Sequence, residues 1–249
     1  MKRYTHIYSL TLADIDGAKR MTPGAVLCYF QDTIARFLAE NRVGAFDLME
    51  DGITWMIAEF HSSFSHLPVW PGIVQMEVFV SELASVKVYV DYLVRDIRGR
   101  IVASGESTWL MVDVRSRRML PSSTVPRLTA LYDERNHVAH QRHAFRPAAG
   151  PEETAAASTH TVSAAETDFN GHMSNRDYVR LAMSLVQPLI PDGTAIRELH
   201  VKFMQECHSG ETLHCRVSQN GPQLIVTLLR DGGHPVCVIN TCWDTEAGG

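Results

Sequence analysis

Two stretches about half a chain apart carry the same signature, and this duplication limits the fold more than any other feature of the 249 residues. Asp14-Ile15-Asp16-Gly17-Ala18 precedes a long helical pattern, and Asp168-Phe169-Asn170-Gly171-His172 precedes another, an offset of 154. Downstream, His61-x-x-Phe64 returns as His200-x-x-Phe203 at an offset of 139, with Gly72 and Gly210 following in turn. Matches that keep their order at half the chain length point to two copies of one module. Residues 121–156, rich in Pro and Ala and without strand periodicity, read as the connection between a module over 1–120 and one over 157–249.

Each copy spells the same elements. Residues 4–12 and 157–166 read as short strands. Thr22-Pro23 supplies an N-cap hydroxyl and a proline at the first helical position, after which Val26, Phe30, Ile34 and Phe37 make one apolar face. In the second copy Ser174 caps, Asp177 stands where a capping box puts its acid, and Tyr178, Leu181, Leu185 and Leu189 are the expected buried stripe. Strands are expected at 53–64, 73–83, 86–97 and 101–113, then at 196–205, 211–218, 223–230 and 235–243. Arg98-Gly99, Asn220-Gly221 and Asp231-Gly232-Gly233 supply turns. One long helix ahead of a run of antiparallel strands is an α+β pattern, and a sheet curled around the helix covers both apolar surfaces.

Composition narrows the class. Hydrophobic residues at 45% and charged residues at 20% are ordinary for a globular protein. No apolar run reaches the roughly 18 residues a membrane span needs, and MKRYTHIYSLTLADID lacks the marks of a secretory or organelle leader. Five cysteines without a C-x-x-C pair suggest reduced thiols in a cytoplasmic protein. The net charge of −5 argues against a nucleic-acid binder. That charge is uneven: Asp113 to Arg146 carries +4, with Arg115, Arg117, Arg118, Arg127, Arg135, Arg142 and Arg146 against Asp113, Asp133 and Glu134. Such a belt is either a docking surface for an acidic partner or a solvated linker. His137, His140 and His143 share a spacing but no Cys, Asp or Glu completes a metal-ligand set, and no phosphate-binding loop is present.

Chemistry concentrates in the second copy. In TDFNGHMSNRDY, residues 167–178, Asp168, Asn170 and His172 alternate, which in an extended segment places them on one side. They meet a helix start, where unpaired N–H groups, here near Met173 and Ser174, favour an oxygen gaining negative charge. Asp, Asn and Gly also crowd before helices merely to cap and turn. His172 is not needed for that, and its counterpart in the first copy is read as Ala18. Gln205-Glu206-Cys207-His208 ends the first strand after the second helix, where the first copy has Leu67-Pro68-Val69. Cys207 could be a buried hydrophobe or a nucleophile, and Glu206 a surface acid or a base, depending on whether His172 is within reach.

These residues resemble the acyl-acyl-carrier-protein (acyl-ACP) thioesterase family over most of the chain. Asp168, Asn170, His172, Asn175 and Tyr178 match that family's D-x-N-x-H and N-x-x-Y segment, and Glu206-Cys207 its later Glu-Cys pair. The first half is similar too, with Trp55, LPVWPGIVQMEVFVSE and VDYLVRDIRGRIVASGESTWLMVDVRSRRM, including Trp70 and Trp109. Gly171 and Ser174 depart from the Gln and Asn common in chloroplast members, so the chain looks bacterial in type. The resemblance implies a tandem, or double, hotdog: two antiparallel sheets, each wrapped around a long central helix. It implies hydrolysis of the thioester between a fatty acyl chain and the carrier's phosphopantetheine, in fatty acid biosynthesis.

No cofactor is expected, because the substrate brings its own pantetheine arm. On this reading amides near Met173 polarise the carbonyl, Asn170 orients substrate or water, His172 and Glu206 activate water, and Asp168 fixes the geometry. Cys207 is the rival nucleophile, although an adjacent Glu206 opposes the lowered pKa a thiolate needs. The first copy would supply an acyl pocket from its helix face and Trp55, Met56 and Ile57. The carrier protein would dock on a patch including Arg115, Arg117 and Arg118, and a further homodimer is left open. An acyl-CoA thioesterase would use the same fold. A hydratase would need D-x-N-P-x-H, one step longer than here, and a non-enzymatic acyl-binding regulator would bring a DNA-binding module that this sequence lacks.

Overall fold

A computed structural model describes residues 2–136, 153–191 and 193–244. The chain divides into two compact units, Met1–His143 and Ala144–Gly249. The N-terminal unit contains β1 (Tyr4–Ser9), α1 (Pro23–Glu40), a short α2 (Ala45–Met49), β2 (Ile53–Phe64), β3 (Ile73–Leu83), β4 (Val88–Asp96), β5 (Ile101–Asp113) and β6 (Met119–Leu120). The C-terminal unit contains β7 (Glu153–Thr161), α3 (Asn175–Val186), β8 (Ile196–Phe203), β9 (Thr212–Asn220), β10 (Gln223–Leu229) and β11 (Pro235–Trp243).

Strand order is β1-β3-β4-β5-β2 in the first unit, with β6 on β5, and β7-β9-β10-β11-β8 in the second. Matching strands by their rank in each unit makes these one topology, antiparallel throughout. The repeat extends to side chains. Trp109 Nε1 donates to Ser107 Oγ at 2.8 Å, and Ser107 Oγ donates to the Val90 carbonyl at 3.1 Å. At 134 residues further on, Trp243, Thr241 and Leu224 form the same relay at 2.8 and 3.1 Å. A buried indole N–H needs a partner, and each copy supplies it two residues back on the same strand.

Helix α1 starts where expected, with Thr22 Oγ1 accepting from the Ala25 amide at 3.2 Å. Val26, Phe30, Ile34 and Phe37 are all buried. Phe30 sits among Phe60, Tyr92 and Trp109, with ring centroids 5.6, 4.9 and 6.4 Å away. This face is therefore filled by protein, and Ile57 is buried as well, while Met56 is exposed.

Several boundaries differ from the sequence reading. Strand β1 ends at Ser9 because Thr11 and Asp14 close a capping box on a 3-10 turn, and β7 ends at Thr161 because Ser163 and Glu166 do the same. The buried stripe of α3 is Tyr178, Val179, Ala182 and Val186, with Leu181, Leu185 and Leu189 only half-buried. The presumed connection is partly core: Val125, Leu128 and Leu131 are buried, and Asn136 bonds to Arg3 Nε at 3.1 Å and the Lys2 carbonyl at 3.3 Å. Strand β7 also begins at Glu153 rather than 157. His137, His140, His143, Arg142 and Arg146 lie outside the described residues.

Candidate active site

The segment entering α3 is a turn, not the extended run that the alternation suggested. Asp168 N donates to the His172 carbonyl at 2.8 Å and Gly171 N to the Asp168 carbonyl at 2.9 Å. The Asp168 carboxylate staples it, Oδ1 accepting from Asn170 N at 2.8 Å and His172 N at 3.4 Å. A short acidic side chain followed by a glycine suits this geometry, and Gly171 takes φ +74°. Asn170 stands exposed at the tip. Ser174 Oγ accepts from Asp177 N at 3.2 Å, and the buried Asp177 carboxylate receives the Ser174 hydroxyl rather than an N-cap amide.

The second strand of the site is the irregular stretch between β8 and β9. Met173 N donates to the Cys207 carbonyl at 2.7 Å, and His172 and His208 form an isolated antiparallel bridge. This backbone pairing brings His172 Nε2 to 3.4 Å from Glu206 Oε2, with the two side chains 23% and 31% exposed. The His208 ring stands edge-on to that of His172, centroids 4.9 Å apart, and its Nδ1 lies 3.3 Å from the Gly171 carbonyl.

Alternation along the backbone sends Cys207 the other way. It is fully buried, beside Tyr178, whose ring packs edge-on against Phe203 at 5.9 Å. Burial pushes the Cys207 thiol above its ordinary range, and the nearby Tyr178 hydroxyl and Arg230 charge offset this only in part. A buried, protonated thiol is a poor nucleophile.

Two expectations change. The amides of Met173 and Ser174, expected to polarise a carbonyl, are committed to the Cys207 and Glu166 carbonyls at 2.7 and 2.8 Å. The donors that a helix start leaves to outside acceptors are those of the first turn, Asn175 and Arg176. Equivalence between the copies also shifts from 154 to 152 residues. In the N-terminal unit Asp16 N donates to the Arg20 carbonyl at 2.8 Å, Asp16 Oδ1 accepts from Ala18 N and Arg20 N at 2.9 and 2.8 Å, and Met21 N donates to the Pro68 carbonyl at 2.8 Å. Arg20, not Ala18, therefore occupies the place of His172, and Leu67 that of Glu206.

His208 and Arg230 have no role in the sequence reading. For His208 the available signal was alternation, which puts residues 206 and 208 on one side; for Arg230 there was none.

Comparison with known proteins places the chain in a family. Residues 1–126 match the family described as the acyl-ACP thioesterase N-terminal domain, and residues 150–245 match the C-terminal domain. The chain belongs to the acyl-ACP thioesterase family. This thioesterase is a hydrolase acting on the thioester of fatty acyl-ACP, and its fold is the double hotdog. An acyl-ACP thioesterase from Bacteroides thetaiotaomicron is 16% identical, with 98% of each chain covered and a TM-score of 0.79. A 12:0-ACP thioesterase from Umbellularia californica is 17% identical, with 98% of each chain covered and a TM-score of 0.86. A search of curated proteins finds no match.

Among the described residues of this thioesterase no helix is long and apolar enough to cross a membrane, and no cluster of His, Cys, Asp or Glu is placed to hold a metal ion. Arg115, Arg117 and Arg118 are exposed on the tight turn after β5, where Arg117 has φ +58°. Arg135 is already paired with Asp133 at 2.7 Å.

Proposed function

We propose that hydrolysis proceeds by direct attack of water, activated by His172 and Glu206, with Cys207 taking no covalent part. The approach of His172 Nε2 to Glu206 Oε2 at 3.4 Å carries this reading, since it joins an imidazole to a carboxylate at a partly open position. The water oxygen bonds to the carbonyl carbon while its proton passes to the His172–Glu206 pair. The developing oxyanion is met by the amides of Asn175 and Arg176, one such donor being worth roughly 3–4 kcal/mol in a transition state. Collapse breaks the C–S bond, and the pair returns the proton to the pantetheine sulfur. Asp168 holds the turn that aims His172, and Asn170 orients substrate or water from the tip.

The acidic carrier docks on Arg115, Arg117 and Arg118, an exposed basic turn suited to a negative partner. The chemistry falls to the C-terminal unit, since the N-terminal unit has Arg20 and Leu67 in the places of His172 and Glu206.

The test measures free fatty acid by mass spectrometry from panels of acyl-ACP and acyl-CoA, for the wild type and Cys207→Ala. Water attack expects Cys207→Ala to keep kcat within about tenfold, because burial, not reactivity, is what the thiol contributes. Abolished turnover together with an acyl group trapped on Cys207 in the wild type would overturn it. Turnover of acyl-ACP should fall as salt rises, since salt screens an exposed charged patch, and charge reversal at the three arginines should raise KM. A salt-independent KM, unaltered by reversal, would remove the docking site.

A further inference from the structure

Glu206 lies in neither β8 nor β9, so no strand ladder fixes its backbone. On one side Gln205 N donates to the Val236 carbonyl at 3.1 Å, and on the other the Cys207 carbonyl accepts from Met173 N at 2.7 Å. The carbonyl of Glu206 itself is taken by Arg230 Nη2. The same guanidinium donates Nη1 to Gln205 Oε1 at 3.1 Å and Nε to Glu211 Oε2 at 2.9 Å. One planar cation thus ties together residues 205, 206 and 211, both ends of the stretch that carries Glu206, Cys207 and His208. Its own backbone is pinned in the β10–β11 turn, Arg230 N donating to the His234 carbonyl and Gly233 N to the Arg230 carbonyl, each at 3.0 Å.

Closing the hairpin does not require this arrangement. The Arg230 and Glu211 side chains are each 32% exposed, so solvent screens their ion pair in part. The N-terminal unit is the internal control. Its equivalent turn closes with Asp96 N donating to the Arg100 carbonyl at 3.0 Å and Gly99 N to the Asp96 carbonyl at 2.9 Å. Asp96 therefore stands in the place of Arg230, and its carboxylate serves its own turn, accepting from the Arg98 and Arg100 amides at 2.9 and 3.0 Å. The same hairpin forms without the guanidinium in the unit that has Leu67 in place of Glu206.

We propose that Arg230 is a positioning residue of the hydrolysis: it sets the Glu206–Cys207 peptide plane and thereby the approach of the Glu206 carboxylate to His172. This rests on the catalytic reading of that pair. A planar fork points its donors in fixed directions at acceptors spread along the stretch, whereas a lysine ammonium offers its three donors from one atom on a flexible stem.

The experiment is a double-mutant cycle on acyl-ACP hydrolysis with Arg230→Ala, Glu206→Gln and the pair, alongside Arg230→Lys. Arg230→Ala should lower kcat about 10–100-fold, the scale of a misplaced catalytic group, with KM held within about twofold. The double variant should be no slower than Glu206→Gln alone, Arg230→Lys should not restore kcat, and free guanidinium but not methylammonium should partly rescue Arg230→Ala. Additive losses, full activity in Arg230→Lys or an unchanged kcat in Arg230→Ala would overturn the role. Should Arg230→Ala not fold, Glu211→Gln frees only the Nε anchor: a lowered kcat at unchanged melting temperature supports the role, and an unchanged kcat overturns it. Full activity in Glu206→Gln would instead overturn the catalytic pair, and with it any positioning of that pair.

Discussion

Before α1 the chain runs Asp16-Gly17-Ala18-Lys19-Arg20, and before α3 it runs Asp168-Phe169-Asn170-Gly171-His172. Backbone bonds and the carboxylate staple are the same in both turns. What differs is the load. Arg20 folds back onto Asp16 at 3.1 Å, whereas His172 turns to Glu206. The aspartate is thus explained by the turn alone, while the imidazole and the carboxylate are not, because the other copy builds the same turn without them. Under the proposed mechanism the shared aspartates build the turn, and the unshared His172 and Glu206 carry the chemistry.

The sharpest way to break that contrast is to remove each unshared group. His172→Ala or Glu206→Gln should reduce kcat by about 10²–10⁴-fold, the range of lost general acid–base catalysis, while Arg20→Ala should stay within about twofold of wild type. Comparable losses at Arg20 in steady-state assays would end the division of labour.

The shared aspartates come next. Asp168→Ala and Asp16→Ala should each lose about 0.5–1.5 kcal/mol in urea titrations, the net value of a staple hydrogen bond. Only Asp168→Ala should also slow turnover, by about tenfold, since it alone aims a reacting group. Equal kinetics for the two would mean that the turn does not position His172.

A smaller effect concerns the left-handed residue of each turn. Gly171 has φ +74° and its counterpart Lys19 φ +62°. Gly171→Ala should cost about 1 kcal/mol and Lys19→Gly should gain somewhat less, because a Cβ in this region is strained. A gain for Gly171→Ala or a loss for Lys19→Gly in thermal melts would show the two backbones to be inequivalent.

The smallest effect is a pH dependence carried by Glu166 in the second copy. Burial by itself raises the Glu166 carboxyl, but the Ser163 amide and hydroxyl and the His160 imidazole, 3.0 Å from Oε1, outweigh it and leave the group below its ordinary value of 4.5. A carboxyl lowered in the folded state contributes stability that is present above its unfolded value and lost as pH falls through the folded one. Glu166→Gln should therefore flatten the loss of stability below about pH 4.5. An unchanged acid limb in denaturation at successive pH values would count against this.

Local information carried far here. Thr22-Pro23 and the 3–4 spacing of Val26, Phe30, Ile34 and Phe37 specify α1 because a cap and a stripe act within a few residues. Strand positions follow from alternation and turn residues for the same reason, and the duplication itself is written in residue order. Other features depend on atoms distant in sequence, and no local pattern encodes them. Whether Asp168 is extended or stapled depends on where Met173 N finds its acceptor, which is Cys207, 34 residues on. The pairing of Arg20 with His172 across the repeat became visible only from shared hydrogen bonds, since two residues of slippage cost nothing in a weak sequence match. Long-range pairing also turned Cys207 inward and Glu206 outward, and it brought a guanidinium from the far hairpin onto the backbone carbonyl of Glu206. The sequence supplied the candidate residues, and the strand pairing of the C-terminal unit decided which of them meet.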